Sequence, residues 1–115
     1  MLNKLRTVIY HVDDIIKAKD WYIQLTGIQP YFDEIFYIGF DINGCELGLD
    51  PDTNNIEKGN HHVAYWSVDD IAEAVAKAES IGAVIISPIQ NVGGNIEVAI
   101  VADPFGNNIG LIAGA

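Results

Sequence analysis

The chain has 115 residues, half of them hydrophobic, so it is long enough to bury one continuous core, and we expect one domain. Sixteen acidic residues against six basic ones give a net charge of −10, which repels nucleic acid and anionic membrane surfaces. Cys45 is the only cysteine, which excludes an internal disulfide and a multi-thiolate metal site. Because the sequence shows neither a membrane-spanning apolar stretch nor the apolar run of a signal peptide, we expect a cytoplasmic protein without nucleic-acid or membrane partners.

The first half of the chain predicts one strand, one helix and three further strands. A β-branched and aromatic run precedes a stretch in which apolar residues recur at helical spacing, and Gly27 ends that stretch. Turns at Asp33-Glu34 and Asn43-Gly44 separate the remaining strands. The predicted boundaries are 7–11 for the first strand, 14–25 for the helix, and 29–33, 35–42 and 44–49 for the other strands.

The second half repeats this order. Residues 12–15 (Val-Asp-Asp-Ile) recur at 68–71, and both halves close on a glycine, two residues and an apolar-Gly-Leu triplet, at 44–49 and 106–111. The sequence therefore predicts two βαβββ modules, about 1–50 and 61–115, joined by a polar linker over 51–60. The predicted boundaries in the second module are 63–67 for the first strand, 70–81 for the helix, and 83–89, 96–102 and 106–111 for the other strands.

The paired aspartates Asp13-Asp14 and Asp69-Asp70 could be catalytic carboxylates or helix caps. Each pair lies where a strand passes into a helix N-terminus, the position at which aspartate is a favoured cap. Glu73, three residues after Asp70, completes a capping-box pattern. We therefore interpret both pairs as caps.

Two βαβββ units, each with Val-Asp-Asp-Ile before its helix, together with the turn at 103–107 (Asp-Pro-Phe-Gly-Asn), resemble the vicinal oxygen chelate superfamily over nearly the whole chain. That superfamily includes glyoxalase I, extradiol dioxygenases, fosfomycin-resistance enzymes and metal-free bleomycin-binding proteins. The resemblance implies an α+β fold in which two βαβββ modules form one domain, with curved mixed sheets around a cleft. It also implies a homodimer.

Metal-dependent members of this superfamily hold a divalent ion with His or Glu side chains from the first and last strand of each module. In this sequence the first-strand positions carry Thr7 and Val63, and the last-strand positions carry Gly48 and Gly110. Since a divalent ion needs several N or O donors, these residues cannot supply the usual site, and we expect no metal cofactor.

A displaced metal site is the alternative. His61 and His62 flank the Val63 position, and a bulge or one-residue slip would turn one of them into the cleft. Glu46, Glu97 or His11 would then have to converge on it to hold one divalent ion.

Strand alternation predicts which side chains line the cleft, and glycine in place of a large ligand is expected to widen it. A flat or cationic organic molecule would fit, by stacking or cation–π attraction to Tyr37 or Tyr65 and by ionic attraction to Glu46 or Asp50. The pattern identifies no catalytic residue. The predicted cleft-lining residues are Thr7, Ile9, His11, Tyr37, Glu46, Gly48, Asp50, Val63, Tyr65, Ser67, Asn108 and Gly110.

Three functional hypotheses follow. The leading one is a metal-free superfamily member that binds a small organic molecule, either to sequester or to sense it. The second is a metal-dependent lyase, isomerase or dioxygenase of glyoxalase type with displaced ligands. The third is a protein whose cleft has closed and whose surface serves protein partners alone.

Overall fold

A computed structural model describes residues 1–54, 56–59 and 62–114. The chain divides into two compact units, Met1–Glu57 and Lys58–Ala115, and each is described by itself. In the described ranges each unit holds one α-helix and one four-stranded mixed sheet, so the chain is α+β with the predicted βαβββ order in both halves. Within those ranges, neither helix is long and apolar enough to cross a bilayer.

The first unit is a mixed sheet with a single helix on one face. The strand order is β1-β4-β3-β2, in which β1 runs parallel to β4 and the other neighbours are antiparallel. Because β1 and β4 are parallel, the chain needs the helix as a crossover between β1 and the rest of the sheet. The elements are β1 (Thr7–His11), α1 (Ile15–Thr26), β2 (Phe32–Glu34), β3 (Tyr37–Ile42) and β4 (Cys45–Asp50).

The core of the first unit lies between α1 and one face of its sheet. Ala18 and Tyr22 on the helix are 0% and 1% exposed, and the sheet supplies Phe40, Leu47 and Leu49, all at most 2% exposed. The neighbouring Trp21 packs edge-on against Tyr22 with 4.9 Å between ring centroids. Trp21 is 6% exposed, so both rings of this pair belong to the core of the first unit.

Alternation along the strands leaves the other face of the first sheet without a helix, and we call it the open face of the first unit. Ile9 on this face is 48% exposed, whereas Tyr10, the next residue of β1, is 8% exposed. This face carries Thr7, Ile9 and His11 of β1, Glu46, Gly48 and Asp50 of β4, and Tyr37, Gly39 and Asp41 of β3.

The second unit repeats the topology with strand order β5-β8-β7-β6. Tyr65 pairs with Gly110 across the parallel strands, as Ile9 pairs with Gly48 in the first unit. The internal repeat read from the sequence is therefore present in the strand pairing itself. The elements are β5 (Tyr65–Ser67), α2 (Ile71–Ser80), β6 (Val84–Gly93), β7 (Ile96–Ala102) and β8 (Asn108–Ala113).

Several predicted boundaries are wrong. Strand β2 begins at Phe32 and not at residue 29, β5 begins at Tyr65 and not at residue 63, and β8 covers Asn108–Ala113 and not 106–111. The turn before β3 lies at residues 35–36 and not at Asp33-Glu34. It is formed by two apolar residues, Ile35 and Phe36, whose side chains are 81% and 63% exposed. Asp33 and Glu34 belong to β2 instead, where they pair with Ile38 and Tyr37 of β3. Strand β6 continues to Gly93 instead of ending at residue 89. A register shift between Ser87 and Gln90 in its pairing with β7 accommodates Pro88.

Both helices begin at the predicted aspartate caps. The Asp14 carboxylate accepts a hydrogen bond from the backbone N–H of Lys17, and the Asp70 carboxylate accepts one from Glu73, each at 3.1 Å. Gly27 ends α1 with φ of 72°, a left-handed conformation that favours glycine. The capping interpretation is thus confirmed for Asp14 and Asp70, whereas Asp13 and Asp69 precede the caps.

Replacing the cap residue Asp70 should lower the free energy of unfolding more than replacing its neighbour Asp69. Asp70→Ala removes the acceptor of the Glu73 N–H and should lower the free energy of unfolding by about 1 kcal/mol. Asp69→Ala, a matched change at an exposed residue outside the cap, should stay within about 0.5 kcal/mol of wild type. Urea unfolding followed by circular dichroism measures both values, and equal losses would contradict the assignment of Asp70 as the cap.

Candidate functional site

Glu46 is the centre of a hydrogen-bonded cluster on the open face of the first unit. Its Oε1 accepts hydrogen bonds from the Thr7 hydroxyl at 3.0 Å and from the Tyr37 hydroxyl at 2.9 Å, and its Oε2 accepts one from the Tyr31 hydroxyl. Arg6 places a guanidinium nitrogen 3.8 Å from Oε1. The side chain is 12% exposed, so one carboxylate orients three hydroxyl groups from three parts of the chain.

The two tyrosine rings of this cluster lie over a pair of glycines. Gly39 of β3 and Gly48 of β4 are opposite each other in the antiparallel register. A Cβ built on Gly48 would lie 2.0 Å from the Tyr37 hydroxyl oxygen, and one on Gly39 would lie 2.7 Å from Glu46 Oε2 and 3.1 Å from the Tyr31 ring. A side chain at Gly48 would therefore displace the Tyr37 ring, and one at Gly39 would displace the Glu46 carboxylate.

The hydroxyl donors keep Glu46 ionised. The hydrogen bond from Tyr31 contributes most to lowering the pKa of this carboxyl, and those from Tyr37 and Thr7 act in the same direction, against the opposing effect of burial. Burial, and then the hydrogen bond to Glu46, raise the pKa of Tyr37 to about 12. At neutral pH the cluster therefore holds one carboxylate and two protonated phenols, an arrangement suited to binding and orienting and poorly suited to taking up a proton.

A cavity of about 270 Å³ adjoins the cluster. The sequence analysis missed most of the residues around it. Arg6 lies before the first strand, where alternation assigns no face, and Tyr31 was assigned to a predicted strand over 29–33 that in the structure begins at Phe32. Asp41 shares the face of Tyr37 by alternation along β3, so the sequence pattern could have identified it. The cavity is lined by Arg6, Tyr31, Asp41, Gly44 and Glu46.

The remaining predicted residues of the first unit lie on the same open face but outside the cluster. Ile9 is opposite Gly48, and His11 is opposite Asp50. The His11 ring nitrogen Nδ1 is 2.8 Å from the backbone carbonyl oxygen of Asp52, which fixes the ring orientation. The structure therefore brings Thr7, Tyr37 and Glu46 into direct contact and places Ile9, His11 and Asp50 farther along the strands.

In the second unit the ring that covers the closing-strand glycine comes from the first strand of the unit, β5, whereas in the first unit it comes from β3. Tyr65 is the direct strand partner of Gly110, and a Cβ on that glycine would lie 2.7 Å from the Tyr65 ring. Ser67 is exposed on the same strand, Asn108 is half-buried at the start of β8, and Val63 precedes β5. The expectation that Gly48 and Gly110 widen the site is wrong for each unit, because a tyrosine fills the space above each glycine.

Residues 4–111 match the family model of the Glyoxalase/Bleomycin resistance protein/Dioxygenase superfamily. The chain belongs to this superfamily.

Solved structures of the superfamily share the fold at low sequence identity. A glyoxalase/bleomycin resistance protein/dioxygenase family enzyme from Burkholderia phytofirmans PsJN is 18% identical with a TM-score of 0.82, covering 96% of this chain and 98% of the other. A glyoxalase-related enzyme from Fulvimarina pelagi is 16% identical with a TM-score of 0.82, over 98% and 89%. A glyoxalase/bleomycin resistance protein from Albidiferax ferrireducens T118 is 19% identical with a TM-score of 0.77, over 95% and 98%. A comparison with curated protein sequences found no match.

The donor set does not fit the divalent ion that many glyoxalase-superfamily members hold. Of the four positions at which the family resemblance predicts ligands, Thr7 offers one hydroxyl, which bonds to Glu46, while Val63, Gly48 and Gly110 offer no side-chain donor. The rings of Tyr37 and Tyr65 cover the two glycines. Across the described part of the chain, no group of three or more His, Cys, Asp or Glu side chains is placed to hold an ion.

Glu97, one residue of the displaced ligand set, does not lie on the sheet face that carries Gly110. Glu97 of β7 pairs with Ala113, on the face that also carries the buried Ala99 and Val101. It therefore points to the opposite side of the sheet from Gly110, because alternate residues of a strand face opposite sides. His62 is exposed before β5, and His61 lies outside the described residues.

Gly48→Ala tests whether the Tyr37 ring occupies the ligand position. The added methyl group would force the ring away and break its hydrogen bond to Glu46, so we expect a loss of about 1–3 kcal/mol in the free energy of unfolding.

The control is the same substitution in a Tyr37→Ala background, where the ring is gone. There Gly48→Ala should cost less by about 0.5–3 kcal/mol, the coupling expected of residues in contact. Additive losses in this double-mutant cycle, measured by urea unfolding, would mean that the two residues do not touch.

The pH dependence of stability should report the Glu46 cluster. Because the folded pKa of Glu46 lies below its unfolded value of about 4.3, its contribution is present above that pH and is lost as the pH falls through the folded pKa. The stability difference between wild type and Glu46→Gln should thus be constant near neutral pH and shrink below about pH 4. Glu79→Gln, at an exposed position of α2, is the matched control. A difference that does not change with pH would contradict the cluster's role.

Proposed function

We propose that this superfamily member binds a small organic molecule on the open face of its first unit without a metal ion. The observation that carries the proposal is the Tyr37 ring, which lies over Gly48 where metal-dependent relatives are expected to place an acidic ligand, and whose hydroxyl bonds to Glu46. In a metal-dependent relative, the side chain at the position of Gly48 would direct a donor atom at the ion. In this chain Gly48 has no side chain, and the Tyr37 ring lies in that space. Such a ring offers stacking surface and a fixed hydroxyl group.

The surroundings of Tyr37 support an aromatic or cationic ligand. The Phe32 ring centroid is 6.2 Å from that of Tyr37 and 6.0 Å from that of Phe36, and Phe32 and Phe36 are 39% and 63% exposed. This aromatic surface continues from the cluster to the β2–β3 turn. With a net charge of −10 on the chain, a cationic ligand would also be drawn to the protein from a distance.

Sequestration or sensing suits this site better than turnover. The titratable groups of the cluster are held in the states in which they neither accept nor release a proton near neutral pH, since the pKa of Glu46 is lowered and those of Tyr31 and Tyr37 are raised. Assembly as a homodimer and residence in the cytoplasm stay predictions.

Metal analysis combined with a ligand screen tests the proposal. Protein purified without chelator should contain well under one equivalent of Ni, Zn, Mn or Fe by mass spectrometry of the metals. A thermal-shift screen of small aromatic and cationic compounds should give hits that persist in EDTA and weaken in Tyr37→Ala. Tightly held stoichiometric metal, with hits abolished by chelator, would contradict the proposal and support the metal-dependent lyase, isomerase or dioxygenase. A broad library that gives no shift at all would also contradict it and favour a surface for protein partners.

A further inference from the structure

The turn between β3 and β4 consists of Asn43 and Gly44, which form the only Asn-Gly pair in the sequence. They lie between the strand partners Ile42 and Cys45, and both are exposed. A two-residue hairpin turn of this kind requires a positive φ at both residues, and Asn43 and Gly44 have φ of 51° and 92°. The residues that build the hairpin therefore place an asparagine amide directly before an unhindered backbone nitrogen.

An asparagine that precedes a glycine is prone to deamidation. The backbone nitrogen of Gly44 attacks Cγ of Asn43, so that a nitrogen–carbon bond forms, the bond from Cγ to Nδ2 breaks, and Nδ2 leaves as ammonia with the proton of the Gly44 N–H. Water then opens the succinimide ring at one of its two carbonyl carbons, which gives aspartate or isoaspartate. Glycine favours the attack because it has no Cβ to hinder it. Both residues are exposed to the water that the reaction consumes.

The folded hairpin holds this pair in an unreactive geometry. The Gly44 N–H donates a 2.8 Å hydrogen bond to Asp41 Oδ1, and the attack requires the nitrogen to give up that proton. A hydrogen bond to a carboxylate stabilises the protonated nitrogen. Left-handed residues such as Asn43 have ψ of about +47°, which places Cβ nearly opposite the following nitrogen about the Cα–C bond. Ring closure therefore requires the turn to open and the hydrogen bond to Asp41 to break.

We propose that Asn43 is a site of spontaneous deamidation and that the hydrogen bond from Gly44 to Asp41 sets the rate of this reaction in the folded chain. The reaction proceeds from local openings of the turn, which cost less free energy than global unfolding. The inference goes beyond the proposed function and depends on no ligand.

The product changes the turn in two ways. Both forms add a carboxylate, and the isoaspartyl form also adds one backbone atom to a turn whose geometry allows two residues. Asp41 and Glu46 form the second strand pair from this turn. The added atom therefore disturbs the two strands that carry the Glu46 cluster.

Mass spectrometry of the intact protein, incubated at mildly alkaline pH, tests the inference. Fragmentation of its peptides should show replacement of an amide by a carboxyl group at Asn43. The chain unfolded in urea should be converted faster than the folded chain, because unfolding breaks the hydrogen bond to Asp41. Asn43→Gln should show no conversion at this position on the same timescale, since its longer side chain would have to form a six-membered ring.

Variants of Asp41 identify the group that sets the rate. Asp41→Ala removes the acceptor of the Gly44 N–H at an exposed position, and deamidation should become about fivefold to tenfold faster because the turn opens more often. Asp41→Asn keeps an oxygen acceptor and should stay closer to the wild-type rate. Asp20→Ala, the same substitution at an exposed position of α1, should leave the rate unchanged.

Hydrogen exchange distinguishes opening of the turn from general unfolding. In Asp41→Ala the Gly44 amide should exchange faster while the amides within β3 and β4 stay protected. Equal deamidation rates in wild type and Asp41→Ala would overturn the inference. An equal acceleration in Asp20→Ala, or faster conversion at another asparagine of the folded chain, would also overturn it.

The isoaspartyl form, separated by ion exchange, tests the effect on the hairpin. Its free energy of unfolding should be lower than that of Asn43→Asp, which adds the same charge without the extra backbone atom. Equal values in urea unfolding would overturn the claim that the lengthened turn disturbs the strands of the Glu46 cluster.

Discussion

The Glu46 carboxylate organises the open face of the first unit. It receives hydroxyl donors from Thr7 and Tyr37 on Oε1 and from Tyr31 on Oε2, three groups that come from β1, β3 and the segment before β2. A nearly buried carboxylate needs such partners, because an ionised group without them would be strongly destabilising. The positions of both tyrosine rings, and the glycines beneath them, follow from satisfying this one charge.

Tyrosine rings account for glycine at the two closing-strand positions where the family resemblance predicts acidic ligands. A glutamate side chain at Gly48 would need the space in which the Tyr37 ring lies, and one at Gly110 would need the space of the Tyr65 ring. The rings come from non-equivalent strands, β3 in the first unit and β5 in the second. A tyrosine therefore covers the closing-strand glycine in both units, but from a different strand in each. Shared fold therefore coexists with different site chemistry, as is common among large superfamilies.

The fold was predictable from the sequence because its signals are local and occur twice. The strand-to-helix junctions at Asp14 and Asp70 and the glycine-apolar-Gly-Leu closing strands are fixed by capping and turn chemistry over a few residues. The turn at Ile35 and Phe36 was missed because polar residues next to it match turn statistics better. There the pairing of β2 with β3 overrides local preference.

The site was predictable only in part, because it depends on register and side-chain direction. Thr7, Glu46 and Tyr37 follow from strand alternation, but Tyr31 and Arg6 lie outside regular strands and reach Glu46 through side-chain length alone. No pattern in the sequence predicts that the Tyr37 ring fills the space above Gly48. A sequence shows that a ligand side chain is missing and does not show which ring has moved into its place.

A crystal structure of the protein grown in the presence of Mn²⁺, with anomalous data, tests the central claim most directly. We expect the Tyr37 ring over Gly48 with its hydroxyl on Glu46, the Tyr65 ring over Gly110, and no anomalous peak on either sheet face. An ion coordinated there by three or more protein side chains, with the rings turned away from the glycines, would contradict it.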